Sequence, residues 1–335
     1  MNRRSKIVAT GMCVPDRVVT NQDMTQWMDT SDEWIRQRSG VEERRWCEEG
    51  TAPSELAERA VRRALDEAGL EPADVDCIVL ATLSAEADFP GTSFFLQARL
   101  GLEDTPCFDL RAQCSGFLFS LGVADSFIRA GQFGRVLVVG CEVHSTGLDV
   151  STAGRDVAVL FGDGAGAVIL EANADEADPA GVIECRMHAQ GQHAKKLWLE
   201  APSSAIYPHR MNHQLIEDGR IYPKMDGRFV FKHAVTRMPQ VLHEALNAAS
   251  LKTGDVDWFL FHQANLRINE FVAKQLELPP ERCPSNIQKY GNCSAAAIPM
   301  LLDEIRKDGR AQPGQLVAMT GFGSGFTWGC ALVRL

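Results

Sequence analysis

The chain has 335 residues, of which 45% are hydrophobic and 23% charged, and its net charge is -10. This composition is typical of a globular protein with two domains or one duplicated domain, and it excludes disordered and collagen-like chains. The acidic excess also argues against a protein that binds nucleic acid or an anionic membrane through clustered cations.

The amino-terminal segment MNRRSKIVATGMCVP predicts a first strand rather than a leader. Its apolar stretch is too short for a secretory signal, and no apolar run in the chain approaches the roughly 20 residues of a membrane-spanning helix. The ten cysteines are scattered without a CxxC pair. We therefore predict a cytoplasmic protein with free thiols and no nucleic-acid or membrane partner.

Two helix–turn–strand units recur along the chain at an offset of 181 (245 against 64). Residues 64–76 resemble residues 245–257, and each unit leads into an apolar strand, Cys77–Thr82 in the first and Trp258–His262 in the second. Continuous apolar runs of this kind are typical of strands buried on both faces.

A second correspondence lies further along at an offset of 178 (292 against 114), and it relates the segment opened by Cys114 to the one opened by Asn292. Each segment continues into a strand, Val136–Val139 and Leu316–Met319. We predict an α/β protein with mainly parallel or mixed sheets covered by helices. Its halves would be residues 1–172 and 173–335, joined by the polar run 171–179.

Residues 187–226 interrupt this symmetry, because they carry four His and three Met without a clear period. Long irregular loops are usually lids or binding loops, so we predict a cap over a substrate entrance. His209 and His213 are spaced by four residues but lack a third ligand, and no metal site is predicted.

Cys114 is the candidate nucleophile. It follows a predicted strand, Cys107–Leu110, and opens a helix, where free N–H groups and the helix dipole favour a thiolate and lower the thiol pKa. A buried, inert cysteine is the alternative. His262 stands at the carboxyl end of its strand, where α/β sheets place their chemistry. A pseudo-twofold relation between the halves would bring Cys114, His262 and Asn292 to one centre.

Two glycine-rich loops need a separate interpretation. Residues 321–326 follow a strand, but without a GK[ST] sequence they do not predict a phosphate site. The loop at 161–166 is expected to pack a helix against a sheet.

Several motifs together resemble ketoacyl-acyl-carrier-protein synthase III of the thiolase superfamily: TSDEWIRQRSGVEERR, RAQCSGF, FGDGAGA, HQANLRI, GNCSAAAIP and GFGSGFTWGCALVRL. The resemblance spans essentially the whole chain. It implies a duplicated thiolase fold, which is a five-layer αβαβα sandwich, and a homodimer.

The resemblance also implies a reaction, the decarboxylating Claisen condensation of an acyl-coenzyme A primer with malonyl-acyl-carrier protein or another malonyl thioester. This step initiates fatty acid synthesis. Cys114 would be the acylated nucleophile, and His262 with Asn292 would handle the malonyl thioester. The backbone N–H groups of Cys114 and Ser324 would form the oxyanion hole. Coenzyme A enters as part of the substrate, and no further cofactor is expected.

The same resemblance implies the substrate contacts Trp34, Arg38, Phe89, Arg155, Arg228, Lys232 and Arg267. Trp34 and Arg155 match residues that stack on the coenzyme A adenine, with Arg38 as a nearby cation. The three basic residues of the second half match positions that face phosphopantetheine and the acidic carrier protein. Phe89 matches a residue that crosses the dimer to close the acyl pocket of the partner.

Four departures from the family pattern leave the acyl specificity open: Gln113, Ser324, the pair Gly227 and Arg228 in place of an asparagine-rich approach to the carrier protein, and a longer segment at 187–226. Gln113 stands where alanine is usual before the nucleophile, and Ser324 stands where the terminal loop usually has glycine. A specialised secondary-metabolite or polyketide condensing enzyme, or an acyltransferase of the same family, is therefore the main alternative. A degradative thiolase is disfavoured because residues 321–325 lack a second cysteine, and a non-catalytic dimer subunit because Cys114 is retained.

Overall fold

The computed structural model describes residues 4–175 and 177–335. Its strands are β1 Arg4–Cys13, β2 Val18–Thr20, β3 Glu43–Arg45, β4 Cys77–Ala81, β5 Cys107–Leu110, β6 Arg135–Glu142, β7 Gly164–Asn173, β8 Gly181–Ala189, β9 Leu197–Trp198, β10 Lys224–Met225, β11 Trp258–Phe261, β12 Leu316–Gly323 and β13 Thr327–Arg334. Its helices are α1 Asn21–Met24, α2 Asp32–Ser39, α3 Pro53–Ala68, α4 Thr92–Arg99, α5 Gly116–Arg129, α6 Arg155–Ala158, α7 His213–Glu217, α8 Gly227–Ala248, α9 Leu266–Gln275, α10 Ile287–Tyr290 and α11 Ala297–Lys307. Within the described ranges, no helix has both the length and the apolar character that a membrane crossing requires.

The first half builds a five-stranded mixed sheet in the order β1-β7-β6-β4-β5. Strand β4 runs parallel to β5 and β6, and β7 runs antiparallel to β6 and β1. The predicted first strand is confirmed as β1, although residues 1–3 of the segment lie outside the described range. The predicted strand Cys107–Leu110 is β5.

The second half repeats this arrangement in a sheet ordered β11-β12-β13-β8. Cys77 pairs with Val136 in the first sheet, and Trp258 pairs with Val317 in the second. Each residue of the second pair lies 181 positions after its counterpart in the first pair, 258 against 77 and 317 against 136. The register therefore confirms the predicted duplication.

The predicted equivalence of Cys114 and Asn292 is wrong. Helix α5 begins at residue 116 and α11 at residue 297, which is the same offset of 181 that relates the strands. Because α5 has 14 residues and α11 has 11, the offset between the helix ends is three residues shorter. The glycines that follow them, Gly131 and Gly309, have the shorter offset of 178. That shorter offset describes the helix ends only. At the helix starts, the counterpart of Cys114 is Ala295.

The layers follow from how the apolar side chains alternate along the strands. Val79 of β4 and Leu260 of β11 face a central layer made by α5 and α11. The other face of the first sheet packs on α3 and α4, and that of the second sheet packs on α8 and α9. Burying both faces of two sheets gives the five layers αβαβα. The predicted sandwich is confirmed.

The glycines of the loop at 161–166 allow close packing against α11, as predicted. A methyl group on Gly164 would lie 2.8 Å from Met300 Sδ, and one on Gly166 would lie 2.8 Å from the Met300 backbone nitrogen. A side chain at Gly166 would displace the backbone of the helix, and one at Gly164 would displace the end of the Met300 side chain.

Two segments are more regular than their sequences indicate. In the predicted cap, residues 187–189 belong to β8, and the segment also contains β9, α7 and β10. The ion pair of Lys196 with Asp226 at 2.9 Å and the Asn212 cap of α7 stabilise these short elements.

In the predicted linker, residues 171–173 end β7 and pair with β1, and residue 176 lies outside the described range. The division into halves at residue 172 stays a prediction.

Candidate active site

A sharp elbow presents Cys114 to the interior. Strand β5 ends at Leu110, a 3-10 turn covers Gln113–Ser115, and α5 begins at Gly116. Gln113 has a φ of 47°, and Ser294, at the equivalent position of the second half, has a φ of 45°. Non-glycine residues rarely adopt this left-handed conformation, and their strain is typical of functional turns. The turn leaves Cys114 only 7% exposed.

The terminal glycine loop closes over this cysteine. A methyl group on Gly323 would lie 2.7 Å from Cys114 Cβ, so only glycine fits there. The backbone N–H groups of Ser324 and of Cys114 itself lie near the Cys114 sulfur and lower the pKa of its thiol. Ser324 lies outside the left-handed region, so its side chain does not disturb this geometry. The two predicted oxyanion donors therefore converge on one sulfur.

The pKa of Cys114 differs from the sequence-based expectation. Burial raises the pKa of this thiol to about 11, whereas the hydroxyl of Ser294 and the backbone N–H groups lower it by less. The predicted lowering by the helix start is wrong for the free enzyme, because desolvation of the thiolate outweighs the local donors. Cys114 is therefore a thiol until a base removes its proton.

His262 follows β11 directly and is 2% exposed, with its backbone N–H donating to the Thr320 carbonyl at 2.9 Å. Among the described residues, neither of its ring nitrogens has a hydrogen-bond partner. Burial lowers the pKa of His262 to about 4, so the ring is neutral at pH 7. Such a ring offers one donor and one acceptor to a substrate.

Strand β12 holds the histidine and the cysteine side by side. A methyl group on Gly321 would lie 3.5 Å from His262 Cβ, and Gly323 adjoins Cys114. Residues i and i+2 of a strand face the same side and lie about 7 Å apart. His262 and Cys114 therefore flank one face of β12.

Asn292 is held by backbone pairing to the residues around Phe161, and its N–H donates to the Leu160 carbonyl at 2.8 Å. Its Oδ1 accepts from the Ser294 N–H at 2.8 Å, and Nδ2 has no hydrogen-bond acceptor in the described part of the chain. The Ser294 hydroxyl in turn donates to Cys114 Sγ at 3.4 Å. This chain of contacts joins the two halves at the candidate nucleophile.

Sequence reasoning missed three buried polar residues at this centre, Glu142, His144 and Ser294. Ser294 lies inside the GNCSAAAIP motif, two residues after Asn292. Glu142 ends β6 and His144 follows it. The rule that singled out His262, a polar residue at the carboxyl end of an apolar strand, would have found both of them.

Glu142 ties the loop after β4 to the start of α11. Its carboxylate accepts from the hydroxyls of Thr82 and Ser84 at 3.1 and 2.6 Å, and from the Ala295 N–H at 3.4 Å. Burial raises the pKa of Glu142 to about 7, although these donors lower it. Its negative charge also raises the pKa of Cys114.

Three of the predicted substrate contacts form one stack. The guanidinium of Arg38 lies 4.4 Å and that of Arg155 lies 4.8 Å from the ring centre of Trp34. Planar cations on an indole face are favourable, and the same surface suits a flat heteroaromatic base. The structure thus brings together the residues that the resemblance assigns to the adenine.

The other predicted substrate-contact residues are exposed on the surface and do not belong to this stack. Arg228 and Lys232 are exposed on the first turns of α8, and Arg267 is exposed on the first turn of α9, which packs against α8. Phe89 is 82% exposed. In the described part of the chain, no group of three His, Cys, Asp or Glu side chains is arranged to hold a metal ion.

Comparison with known proteins identifies the family of the chain. Models of 3-oxoacyl-acyl-carrier-protein (ACP) synthase III and of its carboxyl-terminal part match residues 108–191 and 246–335. The beta-ketoacyl-acyl-carrier-protein synthase III of Rhizorhabdus wittichii is 42% identical over 332 residues, which is 99% of each chain. The chain belongs to the 3-oxoacyl-acyl-carrier-protein synthase III family.

Solved structures place the chain within the same family. The 3-oxoacyl-acyl-carrier-protein synthase III of Aquifex aeolicus is 41% identical, with a TM-score of 0.88 over 99% of this chain and 100% of that one. The priming beta-ketosynthase of the R1128 polyketide pathway is 32% identical, with a TM-score of 0.88 over 99% and 97%. The predicted family, thiolase fold and acyl-transferring enzyme class are confirmed.

One prediction concerns Glu142 in this synthase III-type enzyme. Because its pKa rises from an ordinary 4.5 to about 7, the folded state holds a proton that the unfolded state releases. The stabilisation is complete below pH 4.5 and is lost as the pH rises through 7. Between pH 4.5 and 8 we expect wild type to lose about 3 kcal/mol more unfolding free energy than Glu142→Gln.

Urea titrations at a series of pH values measure this difference. The matched control is Glu48→Gln, since Glu48 is exposed and its substitution should leave the pH dependence of wild type unchanged. Equal pH dependence in wild type and Glu142→Gln would show that Glu142 is ionised like an ordinary glutamate.

Proposed function

We propose that the protein joins an acyl-coenzyme A primer to malonyl-acyl-carrier protein through an acyl-Cys114 intermediate, giving a 3-ketoacyl thioester. The observation that carries this proposal is the surroundings of the buried Cys114 thiol. Two backbone N–H groups and the Ser294 hydroxyl lie against its sulfur, and Asn292 is joined to it through Ser294. His262 faces the same strand, and neither of its ring nitrogens has a hydrogen-bond partner within residues 4–175 and 177–335.

The first half-reaction transfers the acyl group. Cys114 attacks the primer thioester, and its proton passes to a base, for which neutral His262 is available on the same face of β12. The tetrahedral oxyanion is stabilised by the N–H groups of Cys114 and Ser324. The intermediate collapses by breaking the carbon–sulfur bond to coenzyme A, which leaves as a thiol with the proton.

The second half-reaction uses the neutral donors. The malonyl thioester loses carbon dioxide, and the resulting enolate oxygen is stabilised by a His262 ring N–H and by Asn292 Nδ2. Neutral donors stabilise this charge without protonating the carbanion. The carbanion then attacks the acyl carbonyl, and the bond to Cys114 breaks with its electron pair on sulfur. The thiolate takes up a proton from solvent and regenerates the thiol, and departure of carbon dioxide makes the step effectively irreversible.

Substrate recognition follows the predicted contacts. We assign the coenzyme A adenine to the stack of Trp34, Arg38 and Arg155, and the acidic carrier protein to the basic residues of α8 and α9. The high exposure of Phe89 in a single chain supports its role in the acyl pocket of a second subunit. The working enzyme would then be a cytoplasmic homodimer.

A specialised priming synthase is the second candidate. The similarity to the R1128 priming beta-ketosynthase supports it, as do the departures at Gln113 and Ser324. The two candidates share the chemistry and differ in the primer. Retention of the candidate catalytic residues opposes a non-catalytic subunit.

The proposed function is tested by offering primers of two to ten carbons together with malonyl-acyl-carrier protein. We expect a 3-ketoacyl-carrier protein two carbons longer than the primer, with short primers preferred because Phe89 limits the pocket. Mass spectrometry of the carrier protein measures the product. A preference for eight carbons or more would favour the specialised enzyme, and no product with any primer would refute the condensation.

A further inference from the structure

His144 is a buried histidine for which the proposed mechanism has no use. It follows β6 and is 7% exposed. Its ring packs against Phe161, with 4.8 Å between ring centres and 56° between planes. Phe161 pairs through its backbone with Asn292, so His144 lies at the edge of the reaction centre.

The backbone around His144 is firmly held. The Asp163 carboxylate accepts from the His144 N–H at 2.7 Å, from the Ser145 N–H at 3.0 Å and from the Cys47 N–H at 2.8 Å. Because these bonds join three segments, the backbone at His144 cannot move away from the centre without breaking a buried network.

The ring itself has an unmet requirement. In the described chain, His144 Nε2 is fully buried and has no hydrogen-bond partner. A buried polar atom without a partner is unfavourable and rare in native proteins, and at a reaction centre a ligand can supply the missing partner. A hydrocarbon primer packed there would leave the nitrogen unpaired, whereas an oxygen would pair with it.

We infer that His144 selects a primer whose acyl group carries a neutral oxygen, a hydroxyl or keto group, that hydrogen-bonds to Nε2. The inference rests on the proposed function, because it concerns the acyl group attached to Cys114. It makes His144 a specificity-determining residue.

The charge of the ring decides between a neutral oxygen and a carboxylate. Burial and the nearby His262 lower the pKa of His144 to about 3, so the ring is neutral at pH 7. A neutral imidazole provides one donor and one acceptor, which a hydroxyl matches in both directions. It provides no positive charge to compensate a buried carboxylate.

The malonyl carboxylate is a poor partner for a second reason. A donor on that carboxylate would stabilise the ground state that decarboxylation has to destroy, and only interactions stronger in the transition state accelerate the reaction. The malonyl thioester oxygen is already assigned to His262 and Asn292. The acyl group on Cys114 is the remaining occupant.

The test compares primers of matched shape. 3-Hydroxybutanoyl- and 3-methylbutanoyl-coenzyme A differ by a hydroxyl against a methyl group, and 4-hydroxybutanoyl- and pentanoyl-coenzyme A differ in the same way at the next carbon. The rate of Cys114 acylation, followed by intact mass, gives kcat/KM for each. For at least one pair we expect wild type to prefer the hydroxyl primer by about tenfold or more.

In His144→Leu that preference should fall by about tenfold or more, and His144→Gln, which can still hydrogen-bond, should retain part of it. His243→Leu is the matched control, because His243 is exposed on α8 and the same change there should leave the ratio unaltered. A circular dichroism spectrum and an unfolding midpoint that match those of wild type show that His144→Leu is folded.

Two results would overturn the inference and leave the proposed function intact. One is wild-type acylation that favours the methyl-bearing primer in both pairs, and the other is a hydroxyl preference that His144→Leu does not reduce. A wild-type enzyme that accepts no acyl-coenzyme A at all contradicts the proposed function itself, and the inference falls with it.

Discussion

Cys114→Ala should abolish the acyl-enzyme and lower the condensation rate by about 10³-fold or more, because the substitution removes the thiol that we propose as the acyl acceptor. Intact mass after incubation with acyl-coenzyme A should show one acyl group per wild-type chain and none on the variant. Malonyl decarboxylation should persist, since His262 and Asn292 are unchanged.

The matched control is Cys283→Ala, a half-buried cysteine in the second half of the chain that should leave the acyl adduct intact. Peptide mapping of the wild-type adduct should locate the acyl group on Cys114. An adduct that survives Cys114→Ala would move the nucleophile to another of the ten cysteines and would remove the central step of the proposed mechanism.

Asn292→Ala should suppress malonyl decarboxylation by about 100-fold, the usual loss when one oxyanion donor is removed. Acylation of Cys114 should change by less than about tenfold, since its oxyanion is held by backbone N–H groups that the substitution leaves in place. His262→Ala should impair both half-reactions. Carbon dioxide release and intact mass measure the two separately.

Asn247→Ala serves as the control for this substitution, because Asn247 is an exposed residue of α8 and neither half-reaction should respond. The proposed division of labour is wrong if Asn292→Ala blocks acylation and spares decarboxylation. That result would assign Asn292 to the first half-reaction, through its contact with Ser294 beside Cys114.

The duplicated architecture could be predicted from the sequence because it depends on patterns within each half. Apolar strands at 77–82 and 258–262 and similar helix ends before them repeat the same burial, and each pattern is local. The motifs around Cys114, His262 and Asn292 likewise identify the family, because each keeps its residue types in a short segment. These features need no knowledge of the packing.

The alignment of the two halves at the active centre could not be predicted in the same way. Helix α11 is shorter than α5 and the loop after it is longer, and the two differences cancel at the next strand. The offset read from the helix ends therefore assigned the wrong partner to Cys114. Only the strand register and the left-handed residues Gln113 and Ser294 identify the equivalent turns.

The electrostatics of the centre were decided by the tertiary structure alone. The sequence around Cys114 indicates a helix start and a lowered pKa, but the thiol is enclosed by Gly323 and Ser294, which belong to the other half of the chain. Glu142 and His144 enter the same region from the end of β6 and add a carboxyl group with a raised pKa and a neutral ring. Desolvation depends on every segment that excludes water from a site, so no local pattern in the sequence can report it.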